Sequence, residues 1–246
     1  MRSGRCAGSL TRGAAEVLAR KAFAELLGSA LLAATVVGGG IAAVRLSPGQ
    51  PGLALLVAAL VTGAGLVALI LALGPVSAAF NPVVTLVERS LGAIGTGEAL
   101  TFIAAQVLGG CAGTVLANLM FGLDPVGIST HARTGGGLWL GEVVATFGLV
   151  VVIFGVVRAG RSELVAFAVG SYIAAAYWFT SSTSFANPAL SVARMLTNTF
   201  AGIAPGSVPG FVLMQLLGGA LAVGAVLALY PDAVAVAADV AHSEAP

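Results

Sequence analysis

Six long apolar stretches dominate the chain, at about 22–44, 53–73, 98–121, 138–157, 164–180 and 209–230. Each approaches or exceeds the ~20 residues a helix needs to cross the ~30 Å hydrocarbon core of a bilayer. Two shorter pieces, 81–90 and 187–197, break the pattern, and each opens on Asn-Pro. The connections carry turn chemistry: SPGQPG at 47–52, GLDPVG at 122–127, TGGG at 134–137 and APGSVPG at 204–210. The pattern predicts six spanning helices and two short ones.

Composition supports a membrane protein. Of the 246 residues, 58% are hydrophobic and 9% charged, against about 25% charged in a soluble domain. The mean hydropathy is +1.03. The first apolar run is longer than the ~7–15 residues of a signal-peptide core, so it reads as a retained span. Arg2, Arg5, Arg12, Arg20 and Lys21 precede it. The Lys/Arg bias places a tail at 1–21 in the cytoplasm. Six crossings return a second tail, 231–246, to the same side, together with Arg158 and Arg161. The expected location is the cell (plasma or inner) membrane, with the lipid bilayer as partner and both termini cytoplasmic.

The remaining chemistry is sparse. A net charge of +1 says little about partners, and no nucleic-acid partner is expected. Cys6 and Cys111 read as a free thiol and a small packing residue. The two histidines, His131 and His242, lie outside the spans, and no nucleophile–base pairing is visible. Neither an enzyme nor a metal or cofactor site is expected.

The chain repeats itself. AELLGS at 24–29 matches GEVVAT at 141–146, aligning Glu25 with Glu142 and Ser29 with Thr146. Asn81 aligns with Asn187, and AQVLGG at 105–110 with MQLLGG at 214–219, pairing Gln106 with Gln215. Each half holds three spans and one short piece. Three is odd, so the second half enters the membrane from the opposite side, an inverted repeat whose shared site lies near the midplane.

Asparagine is a strong N-cap and proline is favoured in the first helical position. Asn81-Pro82-Val83 and Asn187-Pro188-Ala189 therefore each start a helix. About ten residues make ~15 Å of helix, half of the apolar thickness. Two such halves entering from opposite faces meet near the middle. The preceding stretches, GPVSAAF (74–80) and FTSSTSF (179–185), are not helical runs, and such backbone at membrane depth needs a cavity to satisfy its polar groups. A surface loop with a capped helix would explain one Asn-Pro; two at matching places point to re-entrant pore loops.

On these residues the chain resembles the aquaporins, the major intrinsic protein family, over about 22–230. The Asn-Pro triplets carry the resemblance, with the Glu25/Ser29 and Glu142/Thr146 pairs and the Gln106/Gly109 and Gln215/Gly218 pairs. It implies an aquaporin-like fold, a pore in each subunit, a homotetramer, and one channel domain of two repeats, about 22–122 and 137–230. It places Glu25 and Glu142 against the backbone of the re-entrant loops, where a carboxylate costing about 2.5–3.5 kcal/mol to insert finds its donors. Asn81 and Asn187 are the pore asparagines.

By family spacing the constriction is formed by four positions: Thr62 (Val61 if counted without a gap), Ala175 within Ala174–Ala176, Ser184 ahead of the second Asn, and Leu190. Leu190 stands where the family usually carries Arg. The implied filter is wide, mostly apolar and without a large or charged residue. Narrow apolar pores dewet, so small neutral solutes are favoured over water. Arg194, one turn beyond Leu190, either reaches back toward the filter or sits at the outer mouth against loop 122–137. Glu88 is its counterpart at the inner mouth. The stretch TSSTSFANPAL further resembles the channels of bacterial arsenic resistance operons, implying arsenous acid or methylated arsenicals as solutes. A glycerol or general solute facilitator is the alternative.

Overall fold

The computed structural model describes residues 4–230, with side chains from Gly13 onward. The tail expected at 231–246 lies outside the described residues. Eight α-helices follow in order: α1 (Gly4–Leu46), α2 (Pro51–Leu73), α3 (Pro82–Ser90), α4 (Thr96–Met120), α5 (Gly136–Arg158), α6 (Val165–Phe179), α7 (Pro188–Ala193) and α8 (Val208–Leu229). Six are long and apolar enough to cross a membrane. The other two, α3 and α7, are the Asn-Pro pieces. A 3-10 turn, Arg194–Leu196, continues α7.

The first helix starts well before the apolar run at 22. The spanning candidate within it, Gly13–Leu46, holds 34 residues, about 51 Å at ~1.5 Å per residue. Hydropathy marks the part that suits lipid. Ala, Leu, Glu, Lys and Arg before residue 22 are good helix formers, so the helix continues through the charged segment.

Packing follows the repeat. α1 lies along α4 and α5 lies along α8, while α2 and α6 cross one another between the halves. That crossing is set by two glycines at matching places. A Cβ on Gly63 would lie 2.8 Å from the Gly170 carbonyl oxygen, and one on Gly170 would lie 2.6 Å from that of Gly63. On α4, a Cβ at Gly113 would lie 1.9 Å from the Ala30 carbonyl oxygen of α1. Backbone contact of this kind replaces the hydrophobic drive that helices lack inside lipid.

Polarity runs inward. Leu60, Leu100, Leu108, Leu140 and Leu213 are exposed on the outside, whereas Glu25, Gln106, Glu142 and Gln215 are fully buried. A soluble domain would bury the leucines and expose the carboxylates. The arrangement suits an apolar solvent outside and a polar structure at the centre.

Candidate pore and constriction

Each half-helix is started by its asparagine. Asn81 and Asn187 hold extended backbone, with φ −151° and −155°. The Asn81 Oδ1 accepts from the Val83 amide at 3.0 Å. The Asn187 Oδ1 accepts from the Ala189 and Leu190 amides at 3.0 and 3.2 Å. These are N-cap bonds, and they fix which way each side-chain amide points. Asn81 Nδ2 donates to the Ala186 carbonyl at 2.7 Å, and Asn187 Nδ2 donates to the Phe80 carbonyl at 2.8 Å. The two loops are locked reciprocally. An amide nitrogen has two hydrogens, so each asparagine keeps one for the cavity that both line.

The residues accepting those bonds stand directly before the asparagines. Phe80 and Ala186 both have φ 46°, a left-handed conformation that costs about 1–2 kcal/mol for a residue with a Cβ. Partners on both sides hold it. Their carbonyls face the opposite asparagine, and their amides face a buried carboxylate. Glu25 accepts from the Phe80 amide at 2.7 Å, the Ala79 amide at 2.8 Å and the Ser77 hydroxyl at 2.6 Å. Glu142 accepts from the Phe185 and Ala186 amides, each at 2.9 Å.

Glutamines from the last helix of each half complete the support. Gln106 Nε2 donates to Glu25 at 2.7 Å and to Thr85 Oγ1 at 2.9 Å. Gln215 Nε2 donates to Glu142 at 2.5 Å and to Ser191 Oγ at 2.9 Å. Thr85 and Ser191 escaped the sequence reading, although each stands four residues after its asparagine. That shared offset within the repeat was the available signal.

A cavity of about 420 Å³ threads the molecule. It begins among Lys21, Glu88 and Glu163, passes Asn81 and Asn187, and ends among Tyr177, Leu190 and Arg194. Thr62, Ser184 and Leu190 line it. Val61, the ungapped alternative to Thr62, is exposed elsewhere on α2. Pro82, Val83, Pro188 and Ala189 are buried in the first turns of α3 and α7. The Ser184 Oγ is buried and has no hydrogen-bond partner in the protein.

Ala175 requires correction. It is exposed on α6, and neither it nor its neighbours Ala174 and Ala176 line the cavity. The α6 residues that do include Ala166, Val169, Ile173 and Tyr177, the spacing of one helical face. Counting back from Asn187 fails because the intervening loop is not regular. Thr183, Ser184 and Ala186 take left-handed φ of 60°, 51° and 46°, so a fixed spacing does not carry through the loop. Tyr177 occupies the inner face instead, its hydroxyl 3.0 Å from Thr62 Oγ1.

The expectation of a constriction without large or charged groups is corrected as well. Arg194 is 4% exposed and lines the cavity with Leu190. Its Nε donates to the Ala201 carbonyl, and its guanidinium carbon lies 3.4 Å from the Phe185 ring centroid. Arg133, from the α4–α5 connection, approaches the same ring at 5.1 Å. It donates to the Gly202 and Phe200 carbonyls at 2.9 and 3.1 Å. Burial holds the Arg133 guanidinium below the usual arginine value, with the negative charge of Glu142 acting in the other direction; an arginine still keeps its proton. Arg194 thus lines the cavity and shares a smaller pocket with Arg133 of the α4–α5 connection. Neither Arg133 nor Phe185 was visible as a site residue, since both arrive through the long connections.

Residues 14–184 match the family model described as Major intrinsic protein. The chain belongs to that family. This major intrinsic protein is 52% identical over 202 residues to aquaglyceroporin AqpS of Rhizobium meliloti (strain 1021), a match covering 82% of this chain and 86% of that protein. Its fold is similar to the X-ray structure of the aquaglyceroporin from Plasmodium falciparum, with a TM-score of 0.70. That likeness covers 88% of this chain and 98% of that one at 18% identity, and it speaks for the fold alone. The chain is a multi-pass membrane channel of the major intrinsic protein family and not an enzyme.

Proposed function

We propose that the chain is a passive channel for small neutral solutes, and that its best substrates carry hydroxyls on an otherwise apolar body. Arsenous acid and methylated arsenicals are the foremost candidates, and glycerol is the alternative. The observation that carries this reading is Leu190. It stands on the first turn of α7 and lines the cavity, where a charged side chain would be expected. One wall of the constriction is therefore apolar. The facing chemistry is hydroxylic: Thr62, Tyr177 and the unpartnered Ser184. An apolar wall gives water little in exchange for its lost hydrogen bonds. A solute with hydroxyls on one side and an apolar remainder matches both walls.

Asn81 and Asn187 serve as donors at the midpoint, each offering its second amide hydrogen to a passing oxygen. Glu25 and Glu142 hold the loops that carry them. The metalloid substrate draws support from the resemblance of the second Asn-Pro stretch to arsenic-operon channels. Glycerol draws support from the names of both relatives, which are aquaglyceroporins. The Lys21 and Glu163 end of the cavity is assigned to the cytoplasm on the Lys/Arg bias, in a homotetramer of the cell membrane.

Flux into proteoliposomes tests the reading, with water, glycerol, urea, arsenous acid and methylarsenite compared in one preparation. Non-saturating downhill flux of the arsenicals above water is expected. Gradient-coupled uptake contradicts a passive channel, and fast water with no arsenical flux contradicts the substrate.

A further inference from the structure

The apolar side chain at 190 removes a charge from the constriction, yet the path one turn beyond it is charged. Arg194 follows Leu190 by one helical turn, and its amide bonds the Leu190 carbonyl. Residues four apart share a helix face, so the guanidinium stands on the cavity side, just beyond the leucine. A second, smaller chamber of about 50 Å³ adjoins it, lined by Arg133, Arg194, Tyr177 and Thr183. A solute leaving the cavity at Leu190 toward the α4–α5 connection meets both arginines.

Arg194 is buried and Arg133 half-buried, and both guanidinium groups lie against the Phe185 ring. The acidic group that acts on both is Glu142. Its oxygens are committed to the Phe185 and Ala186 amides and to Gln215. Two guanidinium charges against one carboxylate leave this end net positive. An ion pair, Lys21–Glu98, lies at the other end. The arginines bond neutral carbonyls of the 200–202 loop, which orient them without cancelling their charge. Arg194 spends its Nε on Ala201, and its guanidinium lies over the Phe185 ring where both residues line the cavity.

We propose that Arg194, with Arg133 behind it, supplies the electrostatic barrier to cations and protons in this pore, from one turn beyond the constriction. The displacement leaves the narrow point free for an apolar wall and still keeps a positive charge on the path, the usual means of excluding cations from a neutral-solute pore. Selection by size and exclusion by charge are then set by different residues, Leu190 and Arg194. The proposal rests on the channel reading above. Flux of uncharged solute through the unmodified protein tests that reading separately.

The experiment measures proton and potassium leak in proteoliposomes holding the full chain, with glycerol flux and gel filtration in detergent recorded for every variant. Arg194→Gln is expected to raise the leak roughly tenfold or more, since removing one unit charge near the path at an effective dielectric of about 20 changes the Boltzmann weight of a cation there by at least that factor. Arg194→Lys keeps the charge and is expected to leak close to the unmodified level. Leu190→Arg added to Arg194→Gln returns a charge to the path and is expected to lower the leak again. An assembled Arg194→Gln that conducts glycerol but leaks no more than the parent overturns the proposal. So does a parent that leaks as fast as Arg194→Gln. Should Arg194→Gln fail to assemble, Arg133→Gln carries the test: a severalfold rise in leak supports the barrier, and an unchanged leak overturns it.

Discussion

Glu142 holds the second re-entrant loop from behind the junction. It takes the amides of Phe185 and Ala186 and the side chain of Gln215, and Ala186 in turn receives Asn81. Glu142→Ala strands two buried backbone donors and a glutamine, each at about 1–3 kcal/mol. We expect it to lower the melting temperature in detergent and to abolish flux; an unaffected melt would mean the loop holds its own shape. Asn187→Asp makes a narrower cut. The carboxylate still caps α7, but when ionised it cannot donate to Phe80. The expected loss is about 1–3 kcal/mol, read as a lower melting temperature with the half-helix intact.

At this scale the sequence was informative where chemistry was local. The Asn-Pro caps and the pairing of the two glutamates follow from side-chain type plus the internal repeat, whereas Thr62 and the place of the glutamates against the loops are what the family resemblance implies. Ala175 went astray because a fixed count was carried through a loop with three left-handed residues. The alternative signal was present: Ala166, Val169, Ile173 and Tyr177 mark one face at spacings of three and four, and they lead to Tyr177. Arg133 offered no such signal. Its role depends on the path of a connection that meets Phe185, Phe200 and Gly202 only in three dimensions.

Among the elements, the half-helices are held by the spans behind them, and the spans by close backbone contact. Gly113→Val would drive a branched side chain into the Ala30 carbonyl, which its Cβ alone would approach to 1.9 Å. Overpacking of this kind costs about 1–3 kcal/mol or more, and here it would part α1 from α4 and move Glu25 away from Phe80. Loss of monodisperse protein on gel filtration is the expected result. Gly224→Ala on α8, with nothing within 4 Å of the added carbon, is the matched control and should be tolerated. Comparable damage from both would remove the close crossing as the cause. The elements themselves were legible from hydropathy, except at the start of α1. There the charged residues end the membrane pattern and leave the helix running.

The whole molecule joins two halves of opposite entry into one path. Neither half can make the junction alone: the Asn81 amide needs the Ala186 carbonyl, and the Asn187 amide needs that of Phe80. The repeat therefore explains both the fold and the position of the site at its centre. The constriction departs from that symmetry. Leu190, Tyr177, Ser184 and Arg194 all come from the second half, and Thr62 alone of the expected set comes from the first. Specificity is written where the two halves differ. The central claim is that Leu190 sets this pore for hydroxylated neutral solutes over water, and the most direct test is the flux ratio of glycerol or arsenous acid to water before and after Leu190→Arg. The account predicts that the ratio falls about tenfold, an added barrier of ~1.4 kcal/mol for the larger solute. An unchanged ratio in an assembled, conducting variant would contradict it and place the constriction elsewhere.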